Sequence, residues 1–178
     1  MTKTKKLALL AALTAVALTI FVAEAQIPPV VPVPGVKLGL ANIVTLVTMA
    51  LLGRREAGAV LVVRLILGSA FAGGFSGLMF SAAGGAAAYI VMCLLIKVFP
   101  EKLMWVVSVL AALAHNAGQL AVAVWVSGSA SMLYYGTVLA AAGVITGVFT
   151  GFGAMYLTRA AKKLVKRTFR MEVFTICA

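Results

Sequence analysis

Long runs of apolar residues, separated by short polar or basic segments, dominate this chain. Several runs reach about 18 residues, the length that an α-helix needs to cross about 30 Å of hydrocarbon. The alternating polarity typical of transmembrane barrel strands is absent. The pattern predicts an all-α integral membrane protein, a bundle of six transmembrane helices in a single membrane domain, residues 1–178. We expect helices at about residues 7–25, 38–52, 57–75, 78–96, 103–126 and 132–158, followed by a basic tail at 159–178.

The segments between these runs are rich in residues that interrupt helices. Residues 26–36 hold four of the five prolines, which excludes regular helix and predicts an extended loop on the outer side. Residues 73–85 are rich in glycine and serine and predict a hinge before the fourth helix. Residues 127–129, Ser-Gly-Ser, predict a tight outer turn.

The first apolar run has two interpretations. Its basic head, its apolar stretch and the Ala-Glu-Ala sequence at 23–25 resemble a secretory signal peptide cleaved before Gln26. The alternative is a retained first helix, in which small residues recur at a spacing suited to close helix contact. These small residues are Ala8, Ala11, Ala12 and Ala15. Both interpretations leave Gln26 on the outer side.

The basic residues are distributed very unevenly along the predicted topology. Of the 15 lysines and arginines, only Lys37 lies in an outer segment and only Arg64 lies inside a predicted helix. By the positive-inside rule, both termini are expected in the cytoplasm of a bacterial cell, with the chain crossing the cytoplasmic membrane several times. The thirteen inner residues are Lys3, Lys5, Lys6, Arg54, Arg55, Lys97, Lys102, Arg159, Lys162, Lys163, Lys166, Arg167 and Arg170.

Composition supports the membrane interpretation and excludes several other classes of protein. Hydrophobic residues make up 63% of the chain and charged residues 11%, against about 25% charged residues in soluble domains. The net charge of +11 does not indicate nucleic-acid binding, because the basic residues lie at helix ends. The chain has no aspartate and no ATP-binding GxxxxGK[ST] loop. Cys93 and Cys177 are too far apart to suggest a metal motif. We therefore expect neither catalysis, nor a cofactor, nor a metal in this chain alone.

A polar group interrupts the predicted fifth helix. His115, Asn116 and Gln119 lie near its middle, and His115 and Gln119 share a face one turn apart. Polar groups at this depth usually face a bundle interior or a cavity. One interpretation is a polar lining for a ligand pocket; the other is hydrogen bonding between helices.

Three further residues are candidates for ligand binding. Arg64 is costly within a membrane. It either extends its side chain to the inner interface or pairs with an anion, which would be a substrate phosphate or carboxylate, Glu24 or Glu56. Lys37 and Asn42 lie near the predicted outer mouth of the bundle. Lys37 is either an interfacial anchor or a contact for an anionic ligand.

The segment Lys-Leu-Gly-Leu-Ala-Asn-Ile at 37–43, the glycine-rich third and fourth helices and His115-Asn116-x-x-Gln119 resemble the Gx transporter family, also known as heptaprenyl diphosphate synthase component I. The resemblance covers about residues 7–163. That family is similar to the substrate-binding S components of energy-coupling factor (ECF) vitamin transporters. The resemblance implies a six-helix, S-component-like bundle with a pocket near the outer face, and no nucleic-acid partner.

The resemblance also implies partners. S components bind a small molecule and work with a transmembrane T subunit and two cytoplasmic ATPases. They dock the T subunit through an AxxxA pattern on the first helix, which Ala8, Ala11, Ala12 and Ala15 match, and this favours retention of that helix. We therefore expect a membrane substrate-binding subunit of an ATP-driven uptake transporter. The substrate would be an isoprenoid or quinone precursor, or a flavin-related compound.

The second hypothesis is a non-catalytic membrane scaffold for a prenyl diphosphate synthase or an electron-transfer system. Prenyl diphosphate synthases bind magnesium diphosphate through aspartate-rich motifs, and this chain has no aspartate. A third hypothesis, an independent carrier, would be favoured by an internal inverted repeat, and the sequence displays no convincing one.

Overall fold

A computed structural model describes residues 3–27 and 37–176, including their side chains except at 72–73 and 164–176. All regular secondary structure in this part of the chain is helical. Six α-helices are joined by a π-helical turn at Ser69–Gly73 and by 3-10 turns at Glu101–Leu103 and Ala130–Tyr135. The α-helices are α1 Lys3–Glu24, α2 Asn42–Leu51, α3 Arg54–Gly68, α4 Gly74–Leu95, α5 Met104–Ser127 and α6 Gly136–Ile176.

Four of these helices, α1, α4, α5 and α6, are long and apolar enough to cross a membrane. The all-α membrane class predicted from the sequence is therefore confirmed. Helix α2 has 10 residues and α3 has 15, both short of the usual spanning length. Passage of these two helices through the bilayer, and hence the count of six spans, stays a prediction.

Helix bounds differ from the prediction at several places. Helix α3 runs from Arg54 to Gly68 and not over 57–75, because the π-helical turn at Ser69–Gly73 replaces its predicted last turns. Helix α2 begins at Asn42 because residues 37–41 form a turn in which Gly39 has a φ of 78°, a conformation that favours glycine. The hinge predicted at residues 73–85 is wrong, because α4 begins at Gly74 and runs through this segment; the interruption is the π-helical turn at Ser69–Gly73, which ends at Gly74 with a φ of 55°. Helix α6 continues to Ile176, through the predicted basic tail, because residues 159–176 contain no glycine or proline to end it.

Helix α5 packs most extensively against two neighbours, α4 and α6. Its contact with α6 is close enough to bring backbones together. A Cβ atom at Gly147 would lie 2.6 Å from the Cα of Val109, and one at Gly151 would lie 2.5 Å from the Cα of Trp105. The glycines spaced four residues apart on α6 therefore serve close helix packing.

Helix α1 packs against α3 and α2. At one end of α1, Lys6 pairs with Glu56 in the first turn of α3. Towards the other end, the ring of Phe21 fits against Gly68, where a Cβ atom would come within 2.6 Å of the ring. The two helices thus run in the same direction, and α1 contributes its far end to the polar cavity described next.

Candidate functional site

A small polar cavity lies where four helices and one turn converge. Helices α1, α3, α4 and α5 and the 37–41 turn each contribute to its wall. The centre of a water molecule can occupy about 10 Å³ of this cavity, so the cavity has room for about one water molecule. Its lining residues are Phe21, Glu24, Lys37, Gly39, Arg64, Ser81 and His115.

Glu24 is the acidic residue of this cavity. It is the last residue of α1 and only 5% of its surface is exposed. The backbone N–H of Gly39 donates a hydrogen bond to the Glu24 carboxylate. A buried carboxylate needs such donors, because burial of an unpaired charge is costly. This bond fixes the 37–41 turn against the end of α1.

A chain of polar contacts runs across the cavity from the turn to α3. The backbone N–H of Lys37 donates to Gln119 Oε1 at 3.2 Å, and Gln119 Nε2 lies 3.0 Å from His115 Nε2. On the other side of the imidazole, His115 Nδ1 lies 3.2 Å from Asn42 Nδ2, and Arg64 Nη2 donates to Asn42 Oδ1 at 3.4 Å. Five residues that are distant in sequence thus form one network.

The imidazole of His115 restricts how this network can be arranged. A neutral imidazole has one N–H donor and one acceptor nitrogen, whereas the two flanking amides both direct NH₂ groups at it. The backbone carbonyl of Gly84 on α4 also serves the imidazole as a hydrogen-bond acceptor, so the ring N–H has a partner without a turn of either amide. The bond from Arg64 to Asn42 is the longest in the network, at 3.4 Å, so this amide holds the Arg64 guanidinium only weakly.

Two cations share one aromatic ring beside Glu24. The Lys37 Nζ atom lies 3.5 Å from the centre of the Phe21 ring, and the Arg64 guanidinium carbon lies 5.9 Å from it. Such cation–π contacts replace part of the lost hydration. Burial lowers the pKa of the Lys37 amine, and Arg64 lowers it further, while Glu24 acts in the opposite direction.

Several polar atoms of the cavity wall have no hydrogen-bond partner among the described residues. They are Lys37 Nζ, Arg64 Nε and Ser81 Oγ. Arg64 is only 3% exposed and Ser81 only 4%, so these atoms are shielded from bulk water. Unsatisfied buried donors are uncommon and call for an explanation. All three can donate, so the cavity is suited to a hydrogen-bond acceptor.

The structure brings together five of the six residues that the sequence suggested for ligand binding. Lys37, Asn42, Arg64, His115 and Gln119 all belong to the network around the cavity. The side chain of Arg64 is buried and contacts Asn42 and the Phe21 ring.

The sixth residue, Asn116, lies on a different face of α5. Its Nδ2 donates to the Leu139 carbonyl of α6 at 2.6 Å. This is the arrangement expected of a hydrogen bond between helices, one of the two interpretations of the polar group on α5.

Four residues of the cavity wall were not among the ligand-binding candidates from the sequence: Phe21, Glu24, Gly39 and Ser81. Of these, the sequence suggested a role at the site only for Glu24, as an anionic partner of Arg64. Glu24 carried a usable signal, since it is the only acidic residue of the first apolar run. Phe21 and Ser81 carried none, because an aromatic ring and a serine are ordinary in apolar helices.

The four alanines proposed for partner docking, Ala8, Ala11, Ala12 and Ala15, are all exposed on α1. In contrast, Ala17 on the same helix is fully buried against its neighbours. One face of α1 is therefore used within the described bundle, and the alanine face is not.

No cluster of three or more His, Cys, Asp and Glu side chains is present in the described part of the chain. The polar side-chain groups of the cavity wall are an ammonium, a guanidinium, a carboxylate, an imidazole and a hydroxyl group.

Comparison with known proteins places this chain among membrane proteins of one family. A family model described as heptaprenyl diphosphate synthase component I matches residues 13–157, which include every residue of the cavity wall. No curated protein and no solved structure matches the chain.

Proposed function

The chain belongs to the heptaprenyl diphosphate synthase component I family, and from that premise we propose that it is a membrane subunit that binds a small organic molecule for an ATP-driven uptake transporter. In this proposal it captures the substrate, and a partner complex supplies the energy. The substrate is an isoprenoid or quinone precursor, or a flavin-related compound.

The observation that carries this proposal is the buried polar cavity. Intramembrane ionisable residues are costly and usually mark a pathway or a ligand site. Here Arg64 and Lys37 meet at one cavity with donors that the described residues leave unsatisfied. A purely structural polar cluster would be expected to satisfy its own donors. The unsatisfied donors therefore favour ligand binding, and not hydrogen bonding between helices, as the role of the cluster.

The first helix is part of this proposal in two ways. Phe21 and Glu24 line the cavity, so cleavage before Gln26 would remove part of its wall. The exposed alanine face, in turn, has the small residues that allow close approach of another membrane helix. We assign this face to a transmembrane T subunit that is joined to two ATPases.

The chain offers no energy source of its own. Its sequence has no Walker loop and no aspartate, so neither ATP hydrolysis nor an aspartate-based proton relay can be assigned to it. An external ATPase supplies the missing energy. The chain itself performs no catalysis in this scheme.

The name of the family favours a second candidate function. A component I of a heptaprenyl diphosphate synthase would be a non-catalytic membrane scaffold for that enzyme, or for a related electron-transfer system. In that case the exposed alanine face and the glycine-rich helices would hold an enzyme in place of a T subunit.

Mass spectrometry of the native complex, purified in mild detergent without added ligand, tests the two candidates. Recovery of a T subunit with ATPases, together with α1 and a retained small molecule, is the expected result. Recovery of a prenyl synthase or a redox protein without ATPases would instead support the scaffold. A chain that begins at Gln26 would contradict the assigned role of the first helix.

A further inference from the structure

We propose that the cavity holds a single negative charge of its ligand, as in a carboxylate, between Lys37 and Arg64. This inference rests on the proposed substrate-binding function and adds the chemical class of the group that is recognised. Its basis is the number of charges around the cavity and the unsatisfied donors of the residues that line it.

The charges at the cavity do not cancel. Lys37 and Arg64 contribute two positive charges and Glu24 contributes one negative charge, which leaves a surplus of one. His115 is counted as neutral because it is only 4% exposed and no carboxylate pairs with it among the described residues. A surplus charge in a poorly hydrated site is costly unless a counter-charge is bound. One negative charge from a ligand restores neutrality.

Glu24 does not satisfy either cation directly. Its carboxylate accepts the Gly39 N–H, and neither Lys37 nor Arg64 forms a salt bridge among the described residues. The cations instead lie over the Phe21 ring, a contact with no fixed direction. Their N–H groups are therefore available to an acceptor in the cavity.

The donors of the wall suit a carboxylate. The guanidinium of Arg64 is buried and bonded only weakly to Asn42, and arginine pairs well with planar carboxylates. Ser81 Oγ and Lys37 Nζ also lack partners in the described part of the chain. The group would be held by Arg64, with Lys37 and Ser81 as additional donors.

The cavity size assigns different roles to the two cations. About one water molecule fits the space, so a carboxylate enters only if a side chain moves. Arg64 is held by its burial on α3. Lys37 has a flexible stem and only the ring contact to give up. Lys37 is therefore the side chain that moves, and Arg64 is the fixed point of binding.

The same count argues against a diphosphate group. A diphosphate carries two or more negative charges, which exceed the surplus of one and would leave the cavity negative. Proteins usually bind it with magnesium held by carboxylates, and this chain has no aspartate. The family description alone would suggest the diphosphate, so the two views make opposite predictions.

Ligand-observed NMR on the purified full-length chain in detergent provides the test. Line broadening of [¹³C]acetate is compared with that of [¹³C]acetamide, a neutral molecule of similar shape, and with binding of inorganic diphosphate. The wild type is expected to bind acetate saturably, in preference to acetamide and diphosphate. Arg64→Gln and Lys37→Gln are each expected to weaken acetate binding about tenfold or more. Lys102→Gln, an exposed residue outside the cavity, removes the same charge and should leave binding unchanged.

A third variant tests the charge count itself. Glu24→Gln keeps an oxygen for the Gly39 N–H but raises the surplus to two charges. It is expected to strengthen diphosphate binding about tenfold relative to the wild type. The unliganded thermal midpoint and elution volume of each variant report whether it is folded. If Arg64→Gln does not fold, Lys37→Gln still tests the assignment.

Three results would overturn the inference: wild-type protein that binds acetate no better than acetamide, stronger binding of diphosphate than of acetate, or normal acetate binding by folded Lys37→Gln and Arg64→Gln. None of these depends on partner subunits. Acetate binding without a T subunit and ATPases would retain the charge assignment and reject the transporter. Recovery of a complete transporter complex whose chain does not prefer acetate to acetamide would retain the transporter and reject the charge assignment.

Discussion

The backbone N–H of Gly39 donates a hydrogen bond to the buried carboxylate of Glu24. This bond joins the end of α1 to the turn that precedes α2, and it places a left-handed glycine against the imidazole of His115. The conformation of a five-residue turn thus determines where Lys37 and Asn42 face the cavity.

Substitution of Gly39 should be more damaging than its backbone conformation alone requires. Gly39 and Gly128 both have positive φ, of 78° and 63°, so alanine at either costs about 1 kcal/mol or more in strain. A Cβ atom at Gly39 would also lie 2.9 Å from His115, whereas one at Gly128 would meet nothing within 4 Å. Thermal unfolding should show a larger loss for Gly39→Ala than for Gly128→Ala. Equal losses of stability in the two variants would mean that His115 moves away from the added Cβ atom at little cost.

Replacement of Arg64 should separate stability from binding. A buried cation without a salt bridge contributes little to stability, and a hydrophobic substitute is often neutral or stabilising. Arg64→Leu is therefore expected to keep or raise the unfolding temperature and to abolish acetate binding. Val60→Ala, one turn earlier on α3 and 2% exposed, should lower stability by about 2 kcal/mol and serves as the control. A strongly destabilised Arg64→Leu would show that the arginine holds the fold together.

Anion binding should depend on pH through Lys37. Burial lowers the pKa of this amine, so it loses its proton and its charge at a lower pH than an ordinary lysine. Acetate affinity is therefore expected to fall as the pH rises, beginning below the usual range of lysine. Arginine stays charged across this range, so Lys37→Arg should shift the decline to higher pH. Glu24, Arg64 and His115 face Lys37 in both proteins. An unshifted profile in Lys37→Arg would exclude Lys37 as the titrating group.

Close packing between α5 and α6 should make Gly147 intolerant of any side chain. A Cβ atom there would lie 2.6 Å from the Val109 backbone, so the two helices must separate, at a cost of about 1–3 kcal/mol. Gly77 on α4 has nothing within 4 Å of the same position. Gly77→Ala should leave stability unchanged or raise it, because alanine favours helix. Equal unfolding temperatures for Gly147→Ala and Gly77→Ala would contradict the close packing assigned to Gly147.

The exposed alanine face of α1 should matter to partners and little to the fold. Ala12→Leu adds bulk to an exposed position and is expected to change stability by less than about 0.5 kcal/mol. It should reduce recovery of partner subunits when the tagged chain is purified. Ala141→Leu, exposed on α6, is the matched control. Full recovery of partners with Ala12→Leu would assign docking to another surface.

The helical elements and most of the polar network followed from the sequence. Runs of apolar residues indicated the helices, and polar side chains at membrane depth indicated the cluster, because few other positions can accept them. This reasoning brought out Arg64, His115 and Gln119 without any knowledge of how the helices pack. It also left two hypotheses for Arg64, extension to the interface or an anionic partner, and its burial against Phe21 favours the second.

The sequence did not determine how each helix is rotated about its own axis. His115 and Asn116 are neighbours in the chain, yet one faces the cavity and the other α6, since successive residues differ by about 100° around a helix. Glu24 was not predicted to line the cavity, because it lies at the end of the first apolar run, where it also fitted a cleavage motif. The start of α2 was misplaced because the positive φ of Gly39 is a tertiary feature with no periodic signal.

The shortness of α2 has an electrostatic consequence. Its 10 residues rise about 15 Å, half of the hydrocarbon thickness. With its Leu51 end at the inner surface, as the positive-inside rule predicts from the neighbouring Arg54, its Asn42 end would lie near the middle of the bilayer, deeper than the outer mouth expected from the sequence. The N-terminus of a helix carries about half a positive charge, which water would normally screen. At this depth the helix dipole would remain unscreened and add to the attraction of the cavity for an anion.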